Sequence, residues 1–152
     1  MAKFKMTETI HSYNIYTTRL GTKAAPLKSV DNGKFLKLAA ESQYNLAADG
    51  DMIEGFQTSS EIDNQGTVEG FAIGGVCHRG LKEVTFNTVC AIGDYVTVGT
   101  VVAAGTKLAG PPGVKKATDQ AAAKAAPFKA RVVSLGKAAT GAVGTVGVIE
   151  LF

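Results

Sequence analysis

The sequence is poor in several residue types, and each shortage argues against a class of protein. Tryptophan is absent, two cysteines and two histidines occur, and charged residues make up 19% of the 152 positions. Two cysteines cannot build the framework of a small disulfide-stapled domain, and two histidines leave little material for a zinc site. No apolar run is long enough to cross a membrane as a helix, so no membrane partner is expected. The length corresponds to one ordinary domain with its own core.

The charge balance is mild. Sixteen basic and thirteen acidic residues give a formal net charge of +3, and Lys115-Lys116 is the only adjacent basic pair. A nucleic-acid interface needs a basic stripe, so no specific nucleic-acid partner is expected. The first residues lack the apolar stretch of a signal peptide, which favours a reducing compartment. Cys77 and Cys90 are therefore predicted to be free, buried thiols.

Glycine is abundant, at 18 residues, and stands between short segments rich in Val, Ile, Thr and aromatic residues. This pattern predicts short strands joined by tight turns, hence an all-β barrel or sandwich. Alternation of apolar and polar residues marks the main candidates: residues 35–38, 52–58, 68–73, 83–87, 94–98, 131–135 and 146–152. One short Ala-rich helix is predicted over 120–126, capped by Thr118-Asp119 and ended by Pro127.

Residues 1–32 differ from the rest of the chain. They are β-prone but lack a core pattern, so they are interpreted as an extended N-terminal arm preceding a β body at 33–152. Within the body, Gly33-Lys34-Phe35-Leu36-Lys37-Leu38 resembles Gly93-Asp94-Tyr95-Val96-Thr97-Val98. The repetition fits a duplicated β unit, and it equally fits two strands that follow similar turns.

The candidates for chemistry are few. Cys90 with His78 could form a nucleophile–base pair, but no orienting acid or Gly-x-Ser-x-Gly elbow accompanies them. Asp49-Gly50-Asp51 is better explained by a hairpin turn than by a calcium loop, because the closing ligands are missing. The sequence therefore predicts no enzyme, no catalytic residue, no cofactor and no metal site.

The body resembles small virion proteins of tailed bacteriophages, namely the capsid decoration or cement proteins. The likeness covers residues 33–152 and rests on a style of strands and glycine turns. The segments that carry it are 35–38, 44–56, 91–96, 114–118, 131–136 and 147–151.

This resemblance implies a structural, non-catalytic protein on the exterior of an icosahedral phage head, made in the host cytoplasm. It would bind the major capsid protein, clamp neighbouring subunits, and associate with itself, as a homotrimer in preference to a homodimer. The arm is the expected contact with a neighbouring subunit, because its aromatic and β-branched residues lie outside the core pattern. The predicted partner-binding residues are Ile10, Tyr13, Ile15, Tyr16 and Arg19.

Three alternatives stay open. The protein could be another virion component, such as a tail-tube or head-fibre subunit. It could be an oligonucleotide-binding barrel, although its lysines are scattered. It could also be a small hydrolase that uses Cys90 and His78, in which case Cys90 should react rapidly with alkylating agents.

Overall fold

The computed structural model describes residues 15–62, 72–138 and 140–152, and it is almost entirely β. A 3₁₀ turn at Ser29–Asp31 and the helix α1 at Gln120–Ala125 are the helical elements of the described residues. The strands are β1 Ile15–Leu20, β2 Phe35–Ala40, β3 Gln43–Leu46, β4 Gly55–Ile62, β5 Ala72–Cys77, β6 Gly80–Phe86, β7 Tyr95–Val98, β8 Gly113–Lys116, β9 Ala130–Ser134 and β10 Val146–Leu151. No helix in the described part of the chain is long and apolar enough to span a membrane.

The strands form two closed five-stranded barrels. Barrel 1 has the order β1-β3-β2-β4-β5, and barrel 2 has the order β6-β8-β7-β9-β10. Closure pairs the first strand of each barrel with its last, so both sheets continue around without a terminal strand. Two residues, His78 and Arg79, separate β5 of barrel 1 from β6 of barrel 2.

The barrels have the same topology, strand for strand. In each, the first strand runs parallel to the third, and the other four neighbouring pairs are antiparallel. The first glycines of the two similar segments also agree: Gly33 and Gly93 both have positive φ and donate to the fourth strand of their own barrel. The chain therefore contains a duplicated β unit. This agrees with the interpretation of the two similar segments as parts of such a unit.

A close backbone approach recurs at the matching place in both barrels. The fifth strand carries Gly74 in barrel 1 and Gly147 in barrel 2. A Cβ at Gly74 would lie 2.0 Å from the carbonyl oxygen of Ser59, and a Cβ at Gly147 would lie 2.5 Å from that of Ser134. Each serine follows a bulge in the fourth strand, so glycine is required where the bulged strand bends inwards.

The hydrophobic core has two parts. Leu20, Leu36 and Val76 belong to the cluster inside barrel 1. A larger cluster fills barrel 2 and includes Phe35 and Phe56 of barrel 1. Because neighbouring residues of a strand point to opposite faces, Phe35 points outwards when Leu36 points inwards. The outer face of barrel 1 thus packs on barrel 2, and one continuous core joins the two units.

The long β7–β8 connection, residues 99–112, also ties the barrels together. Lys34 of barrel 1 donates to the carbonyl oxygen of Ala103 at 2.7 Å, and the amide of Gly105 donates to Asp31 at 2.8 Å. Asp31 and Lys34 are both buried and form an ion pair. Hydrogen bonds to charged groups are among the stronger ones in proteins, so this contact fixes the connection on barrel 1.

The predicted fold class is confirmed. The structure is all-β with one short helix, and Asp119 caps that helix by accepting a hydrogen bond from the amide of Ala122. Both cysteines are free and buried, as predicted. The boundary expected at residue 32 does not separate an arm from a body in the described residues, because β1 and the 3₁₀ turn belong to barrel 1. Residues 1–14 of the expected arm lie outside the described residues.

Candidate binding groove

One end of barrel 1 holds an open groove of about 600 Å³. It lies where β1 begins and β5 ends, since Ile15 of β1 pairs with Cys77 of β5. We call it the β1 groove. Its lining residues are Tyr16, Thr17, Thr18, Leu38, Ser42, Tyr44, His78, Arg79 and Phe128.

Aromatic rings surround His78 at the wall of the β1 groove. The ring centroids of Tyr16, Tyr44 and Phe128 lie 4.9, 5.3 and 5.6 Å from that of His78. His78 Nδ1 is 2.7 Å from the carbonyl oxygen of Glu54. A carbonyl oxygen can only accept, so Nδ1 carries the proton and the imidazole orientation is fixed. The groove therefore has a rigid aromatic wall.

Two apolar side chains of the β1 groove are open to solvent. Tyr16 is 60% exposed and Leu38 is 48% exposed, although each belongs to a barrel strand. A tyrosine that presents an apolar ring and a polar hydroxyl is well suited to a protein contact. The groove thus offers apolar area that a partner can cover.

The electrostatics of the β1 groove combine the half-buried phenol of Tyr44 with charged neighbours. Burial raises the pKa of Tyr44, and the nearby Glu54 carboxylate and Tyr16 raise it further. Glu54 accepts a hydrogen bond from the amide of Leu38 at 2.8 Å, so its carboxylate is fixed beside the groove. Arg79 adds a cation to the lining. Tyr44 therefore stays a neutral hydrogen-bonding group at physiological pH.

The β1 strand has a free stretch of edge at the groove. Among the described residues, β3 pairs with β1 at Arg19 and Leu20, whereas β5 pairs with it along the whole range from Ile15 to Leu20. Thr18 reaches the hairpin tip through its side chain, which donates to the carbonyl oxygen of Ser42. Residues 15–18 are thus paired on one side of the strand and open towards the groove on the other.

The corresponding groove of barrel 2 has a different lining. By the pairing of β6 with β8, Lys82 and Glu83 occupy the places of Tyr16 and Thr17. They line a cavity together with Gly33 and Gln57 of barrel 1. The Lys82 ammonium also lies 4.5 Å from the centre of the Phe56 ring. Residues of both barrels thus line this second cavity.

Comparisons with protein-family models, with curated proteins and with solved structures found no match for the chain.

The structure places three of the five predicted partner-binding residues on β1. Tyr16 lines the β1 groove, Arg19 is exposed beside β3, and Ile15 is half-buried against the core. Ile10 and Tyr13 lie outside the described residues. Leu38, Tyr44, His78 and Phe128 were not predicted as contact residues, and only the tertiary structure brings them to β1.

The structure does not bring together the groups proposed for a hydrolase. Cys90 contacts Thr88, and its backbone pairs with Gly141, whereas His78 lies among the rings of the β1 groove. Burial raises the pKa of the Cys90 thiol; the Thr88 hydrogen bond opposes this shift in part, and among the weaker effects Asp94 raises the pKa while Lys116 lowers it. A raised pKa disfavours the thiolate that such a nucleophile requires.

Metal ligands are not clustered in residues 15–62, 72–138 and 140–152, where no group of three or more His, Cys, Asp or Glu side chains could hold an ion. Asp51 instead accepts a hydrogen bond from the amide of Ala48 and pairs with Lys37 at 2.8 Å. Asp49 pairs with Lys115. Both aspartates of the Asp49-Gly50-Asp51 segment thus have structural partners at a turn.

Proposed function

We propose that this protein is a structural virion protein that binds the outer surface of an icosahedral phage head and clamps neighbouring major capsid subunits. The open β1 groove is the observation that carries this proposal. It is a rigid, aromatic-walled recess on a closed barrel, and it offers both apolar area and a free strand edge to a protein partner. The sequence resemblance supplies the kind of partner.

The double-barrel architecture supports a clamping role. The two barrels share one core and are tied by the buried contact of Asp31 and Lys34 with the β7–β8 connection. A rigid body loses little conformational entropy when it docks, which favours binding. Contacts made at the two ends of such a body would hold two capsid subunits at a fixed separation.

Self-association fits the same role. A homotrimer, or failing that a homodimer, repeats each contact with the shell by symmetry, and linked contacts raise the overall affinity. We place the protein on the exterior of the head, after synthesis in the host cytoplasm. The mild positive charge is compatible with an acidic outer surface of the shell.

Co-sedimentation with undecorated heads of the source phage tests the proposal directly. We expect saturable binding at a fixed ratio to the major capsid protein, and a solution mass by light scattering that corresponds to a trimer or dimer. Heads that already carry the protein are the control, since their sites are filled. Absence of binding to undecorated heads would overturn the proposal.

The same particles distinguish the alternatives. Gold labelling of the protein on tails or fibres, with bare heads, would identify a different virion component. Salt-sensitive affinity for single-stranded oligonucleotides, without binding to heads, would identify an oligonucleotide-binding barrel. We expect neither result.

A further inference from the structure

We propose that one uncharged end of barrel 2 is the surface through which copies of this chain associate with one another. We call it the end patch and define it by the exposed side chains of Val89, Ile92 and Val143 on two segments, residues 87–93 and 140–145. The inference rests on the self-association that the proposed function includes, and it names the surface that makes this contact. The occupant of the end patch is a second copy of the chain.

Backbone hydrogen bonds join the two segments of the end patch. The amide of Cys90 donates to the carbonyl oxygen of Gly141 at 2.9 Å. The amide of Gly144 donates to the carbonyl oxygen of Phe86 at 2.7 Å, and the amide of Phe86 donates to that of Thr145 at 2.9 Å. The segments that follow β6 and precede β10 are thus held side by side, and they form one surface at this end of the barrel.

Both segments of the end patch present large aliphatic side chains to solvent. Ile92 is 67% exposed and Val89 is 66% exposed on the first segment, and Val143 is 63% exposed on the second. These are the three most exposed large hydrophobic side chains of the described residues. Single exposed apolar side chains are common on proteins, but a group of them on adjoining segments marks a contact surface.

The absence of charge on the end patch favours a second copy as its occupant. Residues 84–93 and 138–149 contain no Asp, Glu, Lys, Arg or His, although charged residues make up 19% of the chain. Asp94 and Lys137 border these runs in the sequence and have opposite signs, and Asp94 pairs with Lys116 at 3.0 Å. A patch of one sign would meet its own sign in a symmetric oligomer, which costs free energy. An uncharged apolar centre, with both signs at its border, avoids this cost.

A capsid subunit is a poorer occupant of the end patch. The proposed function pairs the positive charge of the chain with an acidic shell, and residues 87–93 and 140–145 contain no cation for such a contact. The end patch also lies away from the β1 groove. β6 begins at Gly80, next to Arg79 of the groove, and ends at Phe86 beside the end patch, and its seven residues span about 20 Å. Self-association through the end patch therefore leaves the β1 groove free.

The test places either sign of charge at one position and measures the solution mass against protein concentration by light scattering. We expect the unmodified protein to be an oligomer, and Ile92→Asp and Ile92→Lys each to weaken self-association about tenfold or more. Either charge would lose water in an apolar contact, and identical copies bring like charges together whichever sign is introduced. Val143→Asp tests the second segment, and we expect a loss of similar size.

Val101→Asp is the matched control for these variants. Val101 is 42% exposed and belongs to the β7–β8 connection, outside the end patch. We expect this variant to keep the mass of the unmodified protein, and a loss of self-association equal to that of Ile92→Asp would contradict the assignment. The side chains replaced in the end patch are mostly in solvent, so the variants should fold. Circular dichroism and thermal melts establish that they do.

The outcomes separate this inference from the proposed function. An unmodified protein that is monomeric, or folded Ile92→Asp and Val143→Asp variants that keep the oligomer mass, would overturn the inference even if heads are bound. An unmodified oligomer that dissociates in these variants but does not bind undecorated heads would remove the capsid role and support the end patch. Unchanged mass with lost binding to heads would assign the end patch to the capsid. Unchanged mass with a lowered melting temperature would assign it to a segment of the same chain, and both results would overturn the inference.

Discussion

The carboxylate of Asp31 accepts a hydrogen bond of 2.6 Å from the ammonium of Lys34, and both side chains are buried, at 0% and 4% exposure. Asp31 also accepts from the amides of Lys28 and Gly105. Lys34 in turn donates to Ala103. The pair thus joins the 3₁₀ turn and β2 of barrel 1 to the β7–β8 connection of barrel 2.

Removing the cation should therefore destabilise the fold. Lys34→Met leaves the buried Asp31 carboxylate without its ammonium partner, and we expect the free energy of unfolding to fall by about 3 kcal/mol. Urea denaturation measures this change. Lys37→Met is the matched control, because its ion pair with Asp51 is exposed and should contribute little to stability. Equal losses in the two variants would contradict the interpretation.

The stability should also depend on pH through Asp31. Burial raises the pKa of its carboxyl, but the hydrogen bonds from Lys34, Lys28 and Gly105 lower it more, and the folded pKa lies below the ordinary value. A lowered folded pKa stabilises the protein above the unfolded pKa of about 3.9, and this stability is lost as the pH falls through the folded pKa. Asp31→Asn should therefore flatten the decline of stability between about pH 5 and pH 2, measured by urea denaturation. An unchanged slope would exclude Asp31 as its source.

The glycines at the bulges give a test of the duplication. Gly74→Ala and Gly147→Ala both place a Cβ against a serine carbonyl oxygen. Each should therefore lower the free energy of unfolding by about 1–3 kcal/mol, and the melting temperature should fall with it. Gly110→Ala is the control, because its Cβ would meet nothing within 4 Å. Thermal melts of the three variants make the comparison. If Gly74→Ala left the melting temperature unchanged while Gly147→Ala lowered it, the two barrels would differ at the bulge.

The side chain of Gln120 should protect the backbone at the start of β7 from hydrogen exchange. Its Oε1 accepts from the amide of Tyr95 at 2.8 Å, and its Nε2 donates to the carbonyl oxygens of Tyr95 and Ala117. Gln120→Leu removes all three contacts, and we expect a loss of about 1–3 kcal/mol together with faster hydrogen exchange of the Tyr95 amide. Gln120→Glu keeps the acceptor and should preserve more of this protection. Equal exchange in both variants would contradict this role.

Cys90 should react slowly with iodoacetamide in the native protein. It is buried, at 3% exposure, and its thiol has a raised pKa, so little thiolate is available at neutral pH. We expect full modification only after denaturation, measured by mass spectrometry. Rapid native modification at Cys90 would instead revive the hydrolase interpretation.

Local features of the sequence were readable because short-range chemistry determines them. The helix over Gln120–Ala125 follows from the Asp119 cap and Pro127, and the repeat of Gly33 and Gly93 follows from turns that need positive φ. β1 was not recognisable as a barrel strand because it has few apolar residues. Its membership of barrel 1 depends on pairing with β5 and β3, which the local pattern does not show.

The β1 groove was not predictable for a related reason. Tyr16, Tyr44, His78 and Phe128 lie on different elements, and His78 was weighed as a base or ligand because imidazole suggests chemistry. What makes the site is the way these elements meet at one end of barrel 1, and no single strand pattern shows that arrangement.

The pairing of β1 also determines how the protein would carry a mechanical load. β1 pairs with β5 from Ile15 to Leu20 in the antiparallel sense. A pull on the chain at Ile15 along the strand direction acts in shear, so the hydrogen bonds along β1 share the force and must break together. A pull across the strand would instead open them one at a time from the end. Under the capsid role proposed above, tension that runs along β1 would be resisted by these hydrogen bonds together.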